Sequence, residues 1–212
     1  MVMMVAGRGG DPEGEGALSA AGPSGFRVVN VVVSARLPGR VDLARLLTLM
    51  PELQYRPRLF PGAVLKIEED GARVAILIFE SGRMICAGGR SPEMAYKAVR
   101  SLASRLVELG IIPPGEPEMR TENVVAEFSL GAPVNVERAA TRMEGAIYEP
   151  EQFPGMMVRL DTKAALVFSS GKAILAGAKS VEEARDLAME VSRRVAEALR
   201  DEGQDRERGG GG

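Results

Sequence analysis

Few side chains in this sequence are suited to catalysis. The chain of 212 residues has no histidine and one cysteine, Cys86, which removes most zinc sites and the usual catalytic triads and general bases. No pair of carboxylates lies beside a nucleophile in the sequence. The remaining candidates are aromatic, amide and basic side chains, which bind rather than react. The sequence therefore predicts a binding protein that is not an enzyme, with no metal or other cofactor.

Two phenylalanines occupy matching positions in a stretch that the chain contains twice. Residues 55–62 and 148–155 both read Tyr-x-Pro-x-x-Phe-Pro-Gly, so Phe60 and Phe153 each precede two turn-forming residues. Because proline cannot continue a strand ladder and glycine permits unusual dihedral angles, each ring is expected at or beside a loop tip. Such a ring either meets a partner or folds back into the core, and the stretch alone leaves both possibilities open.

The repetition extends along most of the chain. An Asn-Val-Val run at Asn30 recurs 93 residues later at Asn123, and a Phe-x-Ser-Gly motif at Phe79 recurs 89 residues later at Phe168. The Ala-Gly-x-[Arg/Lys]-Ser motif of residues 87–91 recurs at the same offset of 89. Two copies of one unit favour a single pseudo-twofold domain, the intramolecular analogue of a symmetric dimer.

The repeats set the predicted domain boundaries. The unit covers residues 26–112 and again 119–200, with a linker over 113–118. Residues 1–25 are rich in glycine, proline and small residues, and residues 201–212 are charged and then all glycine. Both ends are therefore predicted to be disordered.

Charge and composition narrow the class of protein. No apolar run is long enough to span a bilayer, and a single cysteine is typical of a reducing compartment, so we expect a cytoplasmic protein. Residues 26–110 carry 13 lysines and arginines against 8 acidic residues, whereas residues 119–200 carry 11 against 12. The first repeat is thus a basic unit although the whole chain has a net charge of −2.

Each unit is predicted to contain a long strand, a short helix, three more strands and a long helix. In the first strand, a period of two places Val28, Asn30, Val32 and Ser34 on one face of the sheet. Val29 lies on the other face. Asp42 is the predicted cap of the short helix, and Ser91 and Ser180 are predicted caps of the long helices. In the first unit the elements are expected over residues 26–37, 43–50, 63–68, 74–80, 83–88 and 92–109.

The strand at residues 74–80 is apolar on both faces. One face carries Val74, Ile76 and Ile78, and the other carries Ala75, Leu77 and Phe79. Antiparallel sheets normally offer one polar face to water, and the helices of each unit are enough to cover only one face. The second apolar face therefore predicts another partner: a further layer, a dimer interface or a ligand.

Together, these motifs resemble the TATA-box-binding protein family in its archaeal form. The resemblance covers about residues 26–200 and is specific because the motifs occur in order and twice. It implies an α+β fold of two tandem pseudo-symmetric repeats that form a saddle-shaped, curved antiparallel sheet of about ten strands, with helices on the convex face. It also implies a general transcription initiation factor, associated with the nucleoid, that binds the minor groove of A·T-rich promoter DNA, bends it, and recruits transcription factor B and, through it, RNA polymerase.

The resemblance also implies the roles of individual residues. The DNA-intercalating rings are Phe60, Phe79, Phe153 and Phe168. The minor-groove residues are Asn30, Asn123, Val32, Val125, Leu77, Leu166, Ile85 and Ile174. The phosphate contacts are Arg58, Lys66, Arg83, Arg90, Arg159, Lys172 and Lys179. The partner-binding residues for transcription factor B are Glu149 and Glu151, which stand where the first loop has Arg56 and Arg58.

Three positions depart from the family pattern on the groove side. Ala87 and Ala176 stand where the family usually has threonine, and Glu127 stands where the first repeat has Ser34. These changes predict weaker or less selective DNA binding. They keep open two alternatives: a diverged paralogue that acts as a DNA-binding regulator, and a module that holds an apolar ligand on the curved sheet without binding DNA.

Overall fold

The fold is built around two long neighbouring strands, one from each sequence repeat. In the computed structural model, which describes residues 23–69 and 71–200, β1 (Ser24–Arg36) is antiparallel to β6 (Glu118–Ser129). Val31 lies opposite Val124. Because these two valines are equivalent positions of the two repeats, the internal twofold axis passes between them.

The other strands extend outwards from this central pair in the same order on both sides. The sheet has ten strands in the described part of the chain, and its outermost strands have two residues each. Beside β1 lie β5 (Arg83–Gly89), β4 (Ala72–Ile78), β3 (Ala63–Glu69) and β2 (Gln54–Tyr55). Beside β6 lie β10 (Lys172–Ala178), β9 (Lys163–Phe168), β8 (Gly155–Leu160) and β7 (Ala146–Ile147).

Four described helices complete the repeats: α1 (Leu43–Leu49), α2 (Pro92–Glu108), α3 (Val136–Arg142) and α4 (Val181–Leu199). The predicted caps are confirmed, since the side chains of Asp42, Ser91 and Ser180 each accept a hydrogen bond from a first-turn backbone N–H. At α4 the reciprocal bond differs from a standard capping box, because the Glu183 carboxylate accepts from the backbone N–H of Lys179 at 2.6 Å.

The long helices cover one face of the sheet. Helix α2 packs on β5, β1 and β4, and α4 packs on β10 and β6. The strand residues beneath them are fully buried, among them Val31, Ile76, Met84 and Cys86. On the opposite side of the same strands, alternate residues remain partly exposed. This second side is called the open face; it includes Val32, Leu77, Ile85, Val125, Leu166 and Ile174.

One detail of the first strand was predicted wrongly. The period-two pattern puts Val28 beside Asn30, but the register shifts between them: Val28 lies opposite Ala126 and Asn30 opposite Val125. Val29 is therefore the extra residue of a β-bulge. Val28 packs on the core, whereas Val29 is 37% exposed. A bulge changes which face the following residues occupy, and a regular period cannot reveal it.

The predicted fold class is confirmed: two repeats form an α+β saddle with one antiparallel sheet and helices on one side. Of the segments predicted to be disordered, residues 1–25 and 201–212, the parts at 1–22 and 201–212 lie outside the described residues. Ser24 and Gly25, which were assigned to the first of these segments, belong instead to β1. None of the described helices combines the length and the apolar composition that crossing a membrane requires.

Candidate nucleic-acid interface

The open face consists of cross-strand rows that occur in equivalent pairs. Two central rows flank the internal axis, and each runs from an asparagine over valine and alanines to a cation. The first central row is Asn123, Val32, Ala87, Ala75 and Lys66. In the second, Asn30 lies opposite Val125 and Ala164 lies between Ala176 and Arg159, with an irregular step of register in β10.

Two outer rows lie further from the axis, one in each half. Each runs from an arginine through isoleucine and leucine towards the sheet edge, so the floor of the open face is apolar. The first outer row is Arg120, Ser34, Ile85, Leu77 and Val64. The second outer row is Arg27, Glu127, Ile174, Leu166 and Met157.

The two asparagines have fixed amide orientations. Asn30 Oδ1 accepts a hydrogen bond from the backbone N–H of Gly88 at 2.8 Å, and Asn123 Oδ1 accepts one from Gly177 at 2.8 Å. A backbone N–H can only donate, so the amide oxygen must be the atom beside it. The NH₂ group of each asparagine is left as a donor. Two equivalent donors therefore lie beside an apolar floor, one on each side of the axis.

Glycine is required at the positions that hold these amides. Gly88 and Gly177 have φ angles of +104° and +105°, and residues with a side chain rarely adopt such backbone angles. A Cβ at Gly88 would also lie 2.3 Å from the carbonyl oxygen of Arg73. The glycine of the repeated Ala-Gly-x-[Arg/Lys]-Ser motif thus orients the asparagine, a role that the sequence alone did not show.

The four predicted intercalating phenylalanines form two ring pairs, one per repeat. The ring centroids of Phe60 and Phe79 are 5.5 Å apart, and those of Phe153 and Phe168 are 5.8 Å apart. The first pair has an edge-to-face geometry with an interplanar angle of 64°, and the second is tilted at 59°. All four rings are partly exposed and lie outside the hydrophobic core. The possibility that the loop rings fold back into the core is therefore not what the structure shows.

The glycine of each Phe-Pro-Gly motif makes room for a ring pair. A Cβ at Gly62 would lie 2.8 Å from Phe60 Cε1 and 3.1 Å from Phe79 Cε1. A Cβ at Gly155 would lie 2.7 Å from Phe153 Cε1 and 3.1 Å from Phe168 Cε1. Cβ atoms essentially never approach other atoms as closely as 2.7–2.8 Å, so the loop rings would have to move. Sequence reasoning treated these glycines only as turn formers and missed this packing role.

The predicted phosphate-binding cations are all exposed. Lys66 and Arg159 end the central rows at matching places. Lys179 is already engaged, because its Nζ lies 2.6 Å from the backbone oxygen of Glu122 and 3.7 Å from the Glu122 carboxylate. The other six predicted cations form no ion pair with the described residues: Arg58, Lys66, Arg83, Arg90, Arg159 and Lys172.

Two arginines of the open face, Arg27 and Arg120, were not among the predicted site residues. They are equivalent positions of β1 and β6, and they lie opposite Glu127 and Ser34, respectively. The Arg27 guanidinium donates from Nε to Glu127 Oε1 at 2.5 Å. This hydrogen bond, with the attraction between the charges, raises the pKa of Arg27. The cross-strand contact joins residues 100 positions apart, so it could not be predicted from a local sequence pattern.

A second carboxylate lies near the first outer row. Ser34 donates from Oγ to Glu122 Oε1 at 2.7 Å, and this hydrogen bond is the main cause that lowers the pKa of Glu122. Glu122 is the extra residue of a bulge in β6, because Val32 pairs with Asn123 and Val33 with Thr121. The carboxylate is therefore charged at neutral pH and held by both repeats.

The two loops that carry Phe60 and Phe153 have the same backbone hydrogen bond but differ in charge. The N–H of Phe60 donates to the carbonyl of Arg56 at 3.0 Å, and that of Phe153 to the carbonyl of Glu149 at 2.9 Å. At the exposed tips, Leu59 is 78% exposed beside Arg58. Glu151 takes the place of Arg58 in the second loop. Equivalent loops therefore offer surfaces of opposite sign.

Comparison with known proteins identifies the family. The family described as "Transcription factor TFIID (or TATA-binding protein, TBP)" matches residues 25–109 and 118–198, which form the two repeats. The chain belongs to the TATA-box-binding protein family. It is 38% identical over 179 residues to the TATA-box-binding protein of Archaeoglobus fulgidus, covering 82% of this chain and 94% of that protein.

Further relatives of the same name are also archaeal. The TATA-box-binding protein of Methanocaldococcus jannaschii is 38% identical over 162 residues, covering 76% of this chain and 87% of that protein. Among solved structures, "Methanococcus jannaschii TBP" superimposes with a TM-score of 0.74 at 36% identity, over 81% of this chain and 98% of that chain. The resemblance to the archaeal type is confirmed.

The single cysteine of the chain lies in the hydrophobic core. Cys86 lies on the helix-covered side of β5 and is fully buried. Desolvation raises the pKa of its thiol to about 11, so the thiolate that reacts is scarce at neutral pH. Within residues 23–69 and 71–200, no three histidine, cysteine or acidic residues are grouped so that they could hold a metal ion.

Proposed function

We propose that this chain is a general transcription initiation factor whose open face binds the minor groove of A·T-rich promoter DNA. The observation that carries the proposal is the pair of asparagine NH₂ donors, Asn30 and Asn123, set symmetrically beside an apolar floor. In the minor groove, A·T pairs offer acceptors only, whereas a G·C pair adds the guanine amino donor. Two donors beside a largely apolar floor fit the first pattern and oppose the second.

The ring pairs supply the proposed means of bending. Apolar side chains inserted between base steps are a known device of minor-groove proteins, TATA-box-binding proteins among them. Phe79 and Phe168 lie two residues beyond Leu77 and Leu166 on the open face. The two pairs thus lie towards opposite ends of the floor, one in each repeat. Insertion at both places would kink the duplex and allow more of the sheet to contact it.

The exposed cations supply the proposed phosphate contacts. Arg58, Lys66, Arg83 and Arg90 belong to the first repeat, and Arg159, Lys172 and Lys179 to the second. If all seven meet phosphates, the logarithm of the binding constant should fall against the logarithm of salt concentration with a slope of roughly −6. We expect a shallower slope because Lys179 is already engaged by Glu122.

The acidic second loop is the proposed docking site for transcription factor B, which would bring RNA polymerase. Glu149 and Glu151 are exposed at its surface, and the equivalent loop carries arginines. A basic partner surface would therefore choose one end of the saddle. The two repeats, proposed as residues 26–112 and 119–200 around a linker at 113–118, would then act as a DNA-binding unit of the nucleoid with unequal ends.

Binding of matched duplexes at two salt concentrations tests this proposal. The full chain is titrated against an A·T-rich duplex and a G·C-rich duplex of equal length. We expect strong preference for the A·T-rich duplex and a steep loss of affinity with salt. Equal affinity for both duplexes would contradict the minor-groove assignment, and no DNA binding with capture of an apolar ligand would favour the alternative ligand-binding module.

The alternative of a diverged paralogue acting as a regulator rests on Ala87 and Ala176. Both lie in the central rows, where a hydroxyl would add a hydrogen-bonding group and a methyl does not. A chain that binds A·T-rich DNA but forms no ternary complex with transcription factor B would be such a regulator. The same titration with that factor added distinguishes the two.

A further inference from the structure

The open face is nearly symmetric, and one pair of positions breaks its charge symmetry. The central rows match residue by residue in chemical kind, and so do the outer rows, apart from one place. Ser34 in the first outer row corresponds to Glu127 in the second. The other equivalent pairs within the four rows match an asparagine with an asparagine, a cation with a cation or an apolar residue with an apolar one. Glu127 therefore makes the two ends of the floor different.

Glu127 lies among the floor residues, one step inside the cation rim. Along β6, Asn123, Val125, Glu127 and Ser129 lie on one face, and two residues of a strand advance about 6.8 Å. Ser129 is the residue opposite Lys172, a proposed phosphate contact. Glu127 instead lies opposite the floor residue Ile174. Along β6, Glu127 therefore lies about 6.8 Å closer to the internal axis than the position opposite Lys172. A duplex whose phosphates contact Lys172 would have its groove over the Glu127 carboxylate.

The carboxylate of Glu127 keeps one free acceptor. Its Oε1 accepts from Arg27 Nε at 2.5 Å, and its side chain is 39% exposed. Glu122 differs, because Ser34 donates to one of its oxygens at 2.7 Å and Lys179 Nζ lies 3.7 Å from the other. An ionised carboxylate has acceptor capacity on both oxygens, and a guanidinium has five N–H donors. The Arg27–Glu127 pair thus presents an acceptor and donors side by side.

This arrangement is complementary to a G·C pair in the minor groove rather than to an A·T pair. An A·T pair shows acceptors only, which a carboxylate repels, while the guanine amino group is a donor that a carboxylate accepts. We propose that Glu127, held in place by Arg27, accepts a hydrogen bond from the amino group of one guanine at one end of an otherwise A·T-specific site. This inference rests on the proposed function, and it adds a specificity-determining residue that makes the site asymmetric.

A scan of single base-pair replacements tests the inference. The parent is an A·T-rich duplex that the wild-type chain binds, and each position in turn is changed to G·C, with guanine on either strand. The variant Glu127→Ser installs the residue of the equivalent position, Ser34. The control Glu190→Ser removes one carboxylate, paired with Arg193 on α4, from the helix-covered side.

For the wild-type chain, we expect one outer position at which the G·C replacement is tolerated about tenfold better than at the other positions. Glu127→Ser should remove that tolerance, and Glu190→Ser should keep it. If Glu127→Ser strengthens binding by the same factor at every position, with a steeper salt dependence, the carboxylate faces phosphates and the inference fails. It also fails if the wild-type chain penalises G·C equally everywhere. Absence of binding to the parent duplex would instead contradict the proposed function.

Discussion

Asn30 and Asn123 illustrate what the sequence could and could not reveal about a single residue. Their duplicated Asn-Val-Val runs identified both positions as equivalent strand residues. The sequence could not orient the amides, because the donors that fix them, Gly88 and Gly177, are 58 and 54 residues away along the chain. In the proposed function this orientation matters, because an NH₂ donor matches groove acceptors and an oxygen would oppose them.

Replacing Asn30 or Asn123 by aspartate should abolish specific DNA binding and preserve the fold. One carboxylate oxygen can still accept from the glycine N–H, while the other replaces the donor and faces acceptors. An unmet hydrogen bond costs about 1–3 kcal/mol and more when charge is involved, so affinity for an A·T-rich duplex should fall at least a hundredfold, by about 3 kcal/mol. Fluorescence anisotropy measures the affinity, and thermal unfolding checks the fold.

Asn135→Asp is the matched control, because this residue caps α3 through its Oδ1 and aspartate caps equally well. It adds the same charge to a helix terminus and should leave DNA affinity unchanged. Wild-type affinity in both Asn30→Asp and Asn123→Asp would remove the minor-groove assignment.

Cys86 provides a chemical check of which strand face is covered. Its thiol is fully buried beneath the helices, and desolvation raises its pKa to about 11. Because only the thiolate attacks alkylating reagents, modification of the folded chain at pH 8 should be slower by orders of magnitude than modification in denaturant. Mass spectrometry over time follows the reaction. A folded-state rate equal to that of the unfolded chain would mean that β5 presents its other face to the helices.

At the scale of elements, the sequence predicted the order of strands and helices in both repeats and missed the irregularities. The capping residues and the apolar stripes are local signals, so α1, α2 and α4 begin where the sequence places them. The bulges at Val29 and Glu122 arise from pairing between β1 and β6. The two-residue strands β2 and β7 likewise form only because β3 and β8 lie beside them. Pairing across the sheet has no signature within either segment.

The loop elements carry the prediction about bending. Changing Phe60 or Phe153 to alanine should reduce DNA bending strongly and lower the free energy of unfolding only by about 1 kcal/mol, the worth of an aromatic pair. The rings lie outside the core, so no large cavity forms. Energy transfer between dyes at the duplex ends measures bending, and denaturant titration measures stability.

Phe128 supplies the contrast, since it is buried in the core at 3% exposure. Phe128→Ala should lower the free energy of unfolding by about 3–5 kcal/mol. If the loop variants show a comparable loss of stability while bending is unchanged, Phe60 and Phe153 are structural residues and the wedge assignment is wrong.

At the scale of the whole molecule, function depends on how far the internal symmetry is broken. The apolar floor, the asparagines and the ring pairs are duplicated, so on their own they give little information about direction on a minor groove that is itself nearly symmetric. The sequence contained the charge difference between the loops, because Arg56 and Arg58 align with Glu149 and Glu151. It also contained the second difference, Glu127 in place of Ser34, but it did not reveal the contact of Glu127 with Arg27, which needs the two repeats to meet in space.

The loop difference predicts how the complex acquires its direction. Rim charges act mainly on encounter and on partner choice, so the double change Glu149→Arg and Glu151→Arg should leave binary DNA binding intact or slightly stronger and abolish the ternary complex with transcription factor B. A gel shift on an A·T-rich promoter, with and without that factor, gives both readings.

The control, Glu108→Arg with Glu116→Arg, changes two exposed carboxylates outside the loop and alters the net charge equally. Ternary complex formation should survive in the control, because a general increase in positive charge leaves the acidic loop in place. A normal ternary complex with the loop variant would mean that transcription factor B docks on another surface.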